Sequence, residues 1–206
     1  MEELEELRPL ELGIAGRAVR GEDESGDVPV VAIGTEAVLI AAVDGLGHGF
    51  EAAHAAVAAV RALEQFNDEP LEAVVQRCHA RLVGSRGVAL SLASFRGEEG
   101  TMSWLGVGNV AGRLFRAGRI DDHADEFIVN FGGIVGDELP ALHAATVPVS
   151  AGDLLVFATD GINPEFGDRL EQSGTAQEIA DRLLREHRRA NDDALVVVAR
   201  YRDSGQ

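Results

Sequence analysis

Short apolar segments, rich in β-branched residues and separated by glycines, follow one another from Val88 to Val149 too closely to be helices. Their pattern predicts strands over Val88 to Phe95, Thr101 to Leu105, Val110 to Phe115, Glu126 to Phe131 and His143 to Val149. Strands this short and this frequent pair as antiparallel sheet. Ahead of them, Leu10 to Val19, Val28 to Ile33 and Ala37 to Val43 are extended candidates, the last two joined as a hairpin through Gly34-Thr35-Glu36. Behind them, Leu154 to Ala158 and Leu195 to Ala199 are apolar throughout and read as buried strands. Helical spacing occurs in two separate places. Gly49 to Phe66 and Pro70 to Val83 form one pair, the second with Leu71, Val74, Val75, Cys78 and Leu82 on one face. Thr175 to Ala190 is the other, opened by a capping box of Thr175 and Glu178 and burying Ala176, Ile179, Ala180, Leu183 and Leu184. Many strands with helices in two places predict an α+β fold of two packed, mainly antiparallel sheets covered on the outside by helices. With 206 residues, 46% of them hydrophobic, and neither repeats nor linker-like tracts, a single domain over residues 1–206 is expected.

Charge and composition remove whole classes of function. The net charge of −17, from 35 acidic against 18 basic residues, repels nucleic acid and anionic membranes, so neither is expected as a partner. All 18 basic residues are arginine. A chain without lysine has no Walker lysine, no kinase strand lysine and no Schiff-base lysine. Cys78 is the one cysteine, which excludes an internal disulfide and a multi-thiolate zinc site; in its apolar stripe it reads as a small buried hydrophobe. The start from Met1 to Leu7 is acidic, and no apolar run reaches the roughly eighteen residues of a membrane span. A cytoplasmic monomer is the expectation.

Aspartates stand at the ends of the predicted strands. Pairing Asp27, which opens one hairpin strand, with Asp44, which closes the other, centres the turn between Thr35 and Glu36 and sets both carboxylates at one rim. Gly45 follows Asp44 and leaves its carbonyl accessible to a cation. Asp160 repeats this arrangement before Gly161, and Asp192-Asp193 precedes the last strand. Taken singly, each is an ordinary turn residue. Together they converge if the strands bearing Asp160 and Asp192 run antiparallel; a right-handed βαβ crossover through the intervening helix would part them. Oxygen ligands without thiolates or paired histidines suit Mg²⁺ or Mn²⁺. Two such ions, about 3.5 to 4 Å apart, activate water and neutralise phosphoryl oxygens, which is a phosphatase arrangement.

Six segments carry a resemblance to a known family: Ser25-Gly26-Asp27, Val43 to Gly49, Gly106 to Asn109, Gly132 to Gly136, Ala158 to Ile162 and Asn191 to Ala194. In order and spacing the chain resembles the PPM metal-dependent protein phosphatases, in their bacterial sporulation and stress-response branch. The resemblance implies a four-layer αββα sandwich with two ions of Mn²⁺ or Mg²⁺ in a cleft at one end. It implies that Asp44 bridges both ions, Gly45 offers its carbonyl, Asp27 completes one site and Asp160 with Asp192 the other. Asp193 is then an outer partner, or the ligand itself if the register moves by one. Asp44 and Asp160 are the residues on which catalysis would rest. The implied substrates are phosphoserine and phosphothreonine in stressosome scaffold and antagonist proteins. Two positions depart from the family pattern. Leu46 stands where many members carry a histidine able to protonate the leaving alkoxide, and Ala194-Leu195 where a Thr or Ser is frequent. His48 and Arg20 are the remaining substrate-binding candidates. These departures keep open a catalytically weak or dead binding module in a partner-switching pathway, and a metallohydrolase of small phosphorylated metabolites is a third reading.

Overall fold

The computed structural model describes residues 10–202 apart from 23, 119–125 and 169; the acidic start from Met1 to Leu7 lies outside them. The strands are β1 (Leu10–Arg17), β2 (Asp27–Ile33), β3 (Val38–Gly45), β4 (Val88–Arg96), β5 (Thr101–Val107), β6 (Ala111–Phe115), β7 (Glu126–Phe127), β8 (Asn130–Phe131), β9 (Ala145–Pro148), β10 (Leu154–Ala158) and β11 (Ala194–Tyr201). The helices are α1 (Phe50–Leu63), α2 (Leu71–Leu82) and α3 (Ala176–His187). One sheet has the order β1-β11-β10-β6-β7 and the other β2-β3-β4-β5-β8, with β9 also on β5. Described pairings are antiparallel except β5 with β8.

Three apolar layers hold four structural layers together. Alternation along β3 sends Val38, Ile40 and Ala42 into the space between the sheets, where they meet Phe95, Trp104, Leu155, Phe157 and Val197. The same strand sends Leu39, Ala41 and Val43 outward against α1 and α2. A strand buried on both faces has to be apolar throughout, and β3 is so until Asp44. Alanines at 52, 55, 56, 59 and 62 give α1 a thin inner face, so its backbone packs close to the sheet. On the far side Ile179, Ala180 and Leu183 of α3 cover Val156, Val196 and Val198. The result is the αββα sandwich. Cys78 is fully buried on the inner face of α2, where burial pushes its thiol up to about 12, so it is an inert core residue.

Several elements are trimmed by one to three residues at their ends, and two differences have a clear physical reason. The stretch predicted as one strand over Glu126 to Phe131 is two short ones on different sheets, β7 on β6 and β8 on β5. Ile128 turns into the core between them and donates its N–H to the Gly112 carbonyl at 2.9 Å. The last helix ends at His187 rather than Ala190, because Arg188 is extended and bridges to Ile162. The capping box is present as expected, Thr175 Oγ1 accepting from the Glu178 N–H and the Glu178 carboxylate accepting from the Thr175 N–H. No helix among the described residues is long and apolar enough to cross a membrane.

Candidate metal centre

Asp27 and Asp44 face each other across the first hairpin in the expected register. Strands β10 and β11 are antiparallel neighbours, so the assumption on which the convergence of the aspartates depended holds. Their pairing continues past Ala158, where the Thr159 N–H donates to the Leu195 carbonyl at 3.1 Å. At the next turn the chains touch, for a Cβ on Gly161 would lie 1.7 Å from the Asp193 carbonyl oxygen. Asp160 and Asp192 therefore stand together at one end of their sheet. The other sheet brings Asp27 and Asp44 to the same end, as the hydrogen bond from Thr159 Oγ1 to Asp27 Oδ2 at 2.6 Å shows. That hydroxyl accepts from the Leu195 N–H at 2.9 Å, which turns its proton toward the carboxylate.

The aspartates at 192 and 193 differ in their surroundings. Asp193 is buried, and each of its oxygens accepts a backbone N–H, from Val19 and from Gly26, at 2.7 Å. It thereby fixes the loop that leads into Asp27. Asp192 is half-buried and its Oδ1 accepts from the Asp193 N–H at 3.0 Å. Gly45 lies against α1 so closely that a Cβ would sit 2.3 Å from the Ala52 carbonyl oxygen. Glycine is required there by packing.

Electrostatics single out the same cluster. Burial, reinforced by Asp27, Asp160, Asp192 and Asp193, raises the Asp44 carboxyl from 3.8 to about 8. Burial also raises Asp27 to about 7 against the opposing Thr159 bond, with Asp193, Asp160 and Asp192 adding to the rise. Asp160 is raised by burial and by Asp192, while Arg189 and Asn109 oppose the shift. Among the described residues no three His, Cys, Asp or Glu side chains are drawn together closely enough to hold an ion as they stand. Every named influence on Asp44 disfavours its charged form, and a hard divalent cation accepting oxygen ligands would reverse that balance. The donor set fits Mg²⁺ or Mn²⁺.

Several neighbours were not assigned from sequence. Asn109 Nδ2 donates to Asp160 Oδ2 at 2.8 Å, and Arg189 lies close enough to favour ionised Asp160. Asn109 and Thr159 stand inside motifs quoted for the resemblance, so their positions were visible although their roles were not. Arg189 carried no signal beyond its proximity to Asp192. His48 is 69% exposed and pairs with Glu22 at 3.5 Å on the lip of the cleft, and Arg20 is exposed. Leu46 is half-buried.

A carboxylate cluster at the seam of an αββα sandwich defines the class of protein, a PPM-type phosphatase fold. The chain belongs to the family described as Stage II sporulation protein E (SpoIIE), which matches residues 34–202. Proteins of the stressosome branch are among those it resembles. A structure described as "The bacterial stressosome: a modular system that has been adapted to control secondary messenger signaling" is 31% identical, covers 93% of this chain and 99% of its own, and superposes with a TM-score of 0.84. Phosphoserine phosphatase RsbX of Bacillus subtilis (strain 168) is 23% identical over 165 residues, 79% of this chain and 80% of its own. The crystal structure of RsbX in complex with magnesium, 20% identical over 93% of this chain and 95% of its own, has a TM-score of 0.81. The catalytic domain of the serine/threonine phosphatase PstP with two manganese ions, 21% identical over 94% of this chain and 100% of its own, has a TM-score of 0.68. The fold is thus that of the PPM-type phosphatases, and the family is that of Stage II sporulation protein E.

Proposed function

We propose that this chain, as one catalytic domain over residues 1–206, removes phosphate from phosphoserine or phosphothreonine in stressosome scaffold and antagonist proteins of the cytoplasm. The observation that carries the reading is the meeting of four strand ends, with Asp27 opposite Asp44 on one sheet and the Thr159-Asp160 end of the other sheet bonded to Asp27 at 2.6 Å. Two ions of Mn²⁺ or Mg²⁺, when bound, supply a nucleophile from water at neutral pH and neutralise phosphoryl charge. Asp44 and the Gly45 carbonyl would hold them from one sheet with Asp27, and Asp160 with Asp192 from the other. Thr159 and Asn109 orient Asp27 and Asp160 through the hydrogen bonds described above. Asp193, with both oxygens engaged by backbone N–H groups, shapes the loop rather than ligating. Leu46 has no proton to give, so in this reading the leaving alkoxide takes its proton from water. The magnesium-bound RsbX and manganese-bound PstP structures support the choice of ions.

The test is release of phosphate from phosphorylated scaffold and antagonist proteins with Mn²⁺, with EDTA, and with Asp44→Asn. Metal-dependent turnover lost in the variant is expected. Partner binding indifferent to EDTA, with no phosphate released from any phosphoprotein, would replace the enzyme by a binding module.

A further inference from the structure

The lip of the cleft carries a groove that the phosphatase reading does not use. It has a volume of about 430 Å³ and runs between the first turn of α1, with Phe50, Glu51 and His54, and the turn entering β4, with Gly84, Ser85 and Arg86. We infer that this groove seats the stretch of substrate polypeptide beside its phosphorylated residue, and that Arg86 selects an acidic side chain there. The inference rests on the function proposed above and names what its substrates share.

Phe50 is 75% exposed, an unusual position for a phenylalanine at the edge of a catalytic cleft. Its ring stacks on His54 with centroids 6.1 Å apart, giving one wall of the groove an ordered aromatic surface. Arg86 forms the other wall. Its Nε donates to Glu51 Oε2 at 2.5 Å, with both side chains at least half exposed. Exposed pairs of this kind are weak and exchange readily. Glu51 thus occupies the place of an incoming carboxylate, and its geometry shows which anion the guanidinium accepts.

The groove adjoins the loop that follows Asp44. Arg86 Nη1 lies 2.7 Å from where a Cβ on Gly47 would be, and Gly47 adopts a φ of +90° that favours glycine. The Leu46 N–H donates to the Gly87 carbonyl at 3.2 Å, tying the Arg86 turn to the loop that follows Asp44. On a chain of net charge −17 the long-range field opposes an acidic segment. A cation placed beside the cleft gives such a segment one favourable seat and makes the selection local.

The experiment compares phosphopeptides that differ only in Glu against Gln at single positions flanking the phosphoserine, with p-nitrophenyl phosphate as the small substrate and Mn²⁺ throughout. Arg86→Ala is expected to raise KM about two- to fivefold for the Glu peptide, the worth of one exposed ion pair, with kcat unchanged. The Gln peptide and p-nitrophenyl phosphate should be untouched. Glu51→Gln should lower KM for the Glu peptide by removing the internal competitor, and Arg86→Lys should restore part of the preference. Manganese titration checks that each variant retains a wild-type site. Equal losses on all substrates, or none on any, would overturn the assignment. If the wild type releases no phosphate, the phosphatase reading fails while the groove is still tested by fluorescence anisotropy of labelled peptides. There, equal binding of Glu and Gln peptides, or binding unaffected by Arg86→Ala, would overturn it.

Discussion

Replacing Asp193 and Asp192 in turn separates scaffold from ligand. Asp193 is buried and accepts two backbone N–H groups at 2.7 Å, from Val19 and Gly26, residues far from it in the chain. Hydrogen bonds to a charged group contribute about 1.5–3 kcal/mol each, so losing both removes about 3–6 kcal/mol. Relief of repulsion on Asp27 and Asp44 offsets part of this, and a net loss of about 3 kcal/mol is expected for Asp193→Ala. For a chain of 206 residues that corresponds to a fall in Tm of about 6–12 °C. Asp192→Ala removes a single neighbouring backbone contact and lightens the same repulsion, so its metal-free Tm should stay close to wild type. Its Mn²⁺ binding should be lost. Thermal melts in EDTA and calorimetric Mn²⁺ titrations of both variants provide the assay. A stable Asp193→Ala protein without Mn²⁺ binding, beside an Asp192→Ala protein that binds normally, would refute the reasoning and exchange the two roles.

Three other outcomes follow from the geometry. The Asp27 and Asp44 carboxyls are raised to about 7 and about 8, so the stability they contribute is complete below their unfolded value of 3.8 and is lost as pH rises through the folded values. In EDTA the Tm should therefore fall between pH 5.5 and pH 8 and recover at pH 8 with Mn²⁺; a metal-free Tm that rises across this window contradicts the assignment. Gly13→Ala places a Cβ 2.1 Å from the Ala176 carbonyl oxygen, where β1 meets the start of α3, and should cost at least about 2 kcal/mol in urea unfolding. An unchanged midpoint would show that α3 can move away freely. Asn109→Ala deprives Asp160 of its 2.8 Å donor and should weaken Mn²⁺ binding about 10- to 100-fold with unaltered circular dichroism, whereas wild-type affinity would remove Asn109 from the centre.

The layers were legible because their periodicities are strong. Pure apolar runs marked β10 and β11, and the spacing of Leu71 to Leu82 marked α2. The Asp27–Asp44 pairing was legible too, since a short turn fixes the register of a hairpin. The direction of β11 against β10 was not, because a helix between two strands commonly serves a parallel crossover and nothing local excludes it. The difference between Asp192 and Asp193 was hidden for a related reason. Their identities are the same, and what separates them is a pair of N–H groups contributed by the loop after β1. The division of residues 126–131 between sheets likewise depends on where the core lies, since Ile128 enters it while its neighbours pair on either side.

The seam location of the centre has a consequence for remote positions. Asp27 and Asp44 ride on one sheet and Asp160 and Asp192 on the other, while Ile40 and Phe157 belong to the apolar filling between them. Spacing across the cleft is thereby tied to the thickness of that filling. Trimming or enlarging a methylene there adjusts the jaws of a vice from its spine, which makes interior residues natural places to tune the cation affinity proposed for this site.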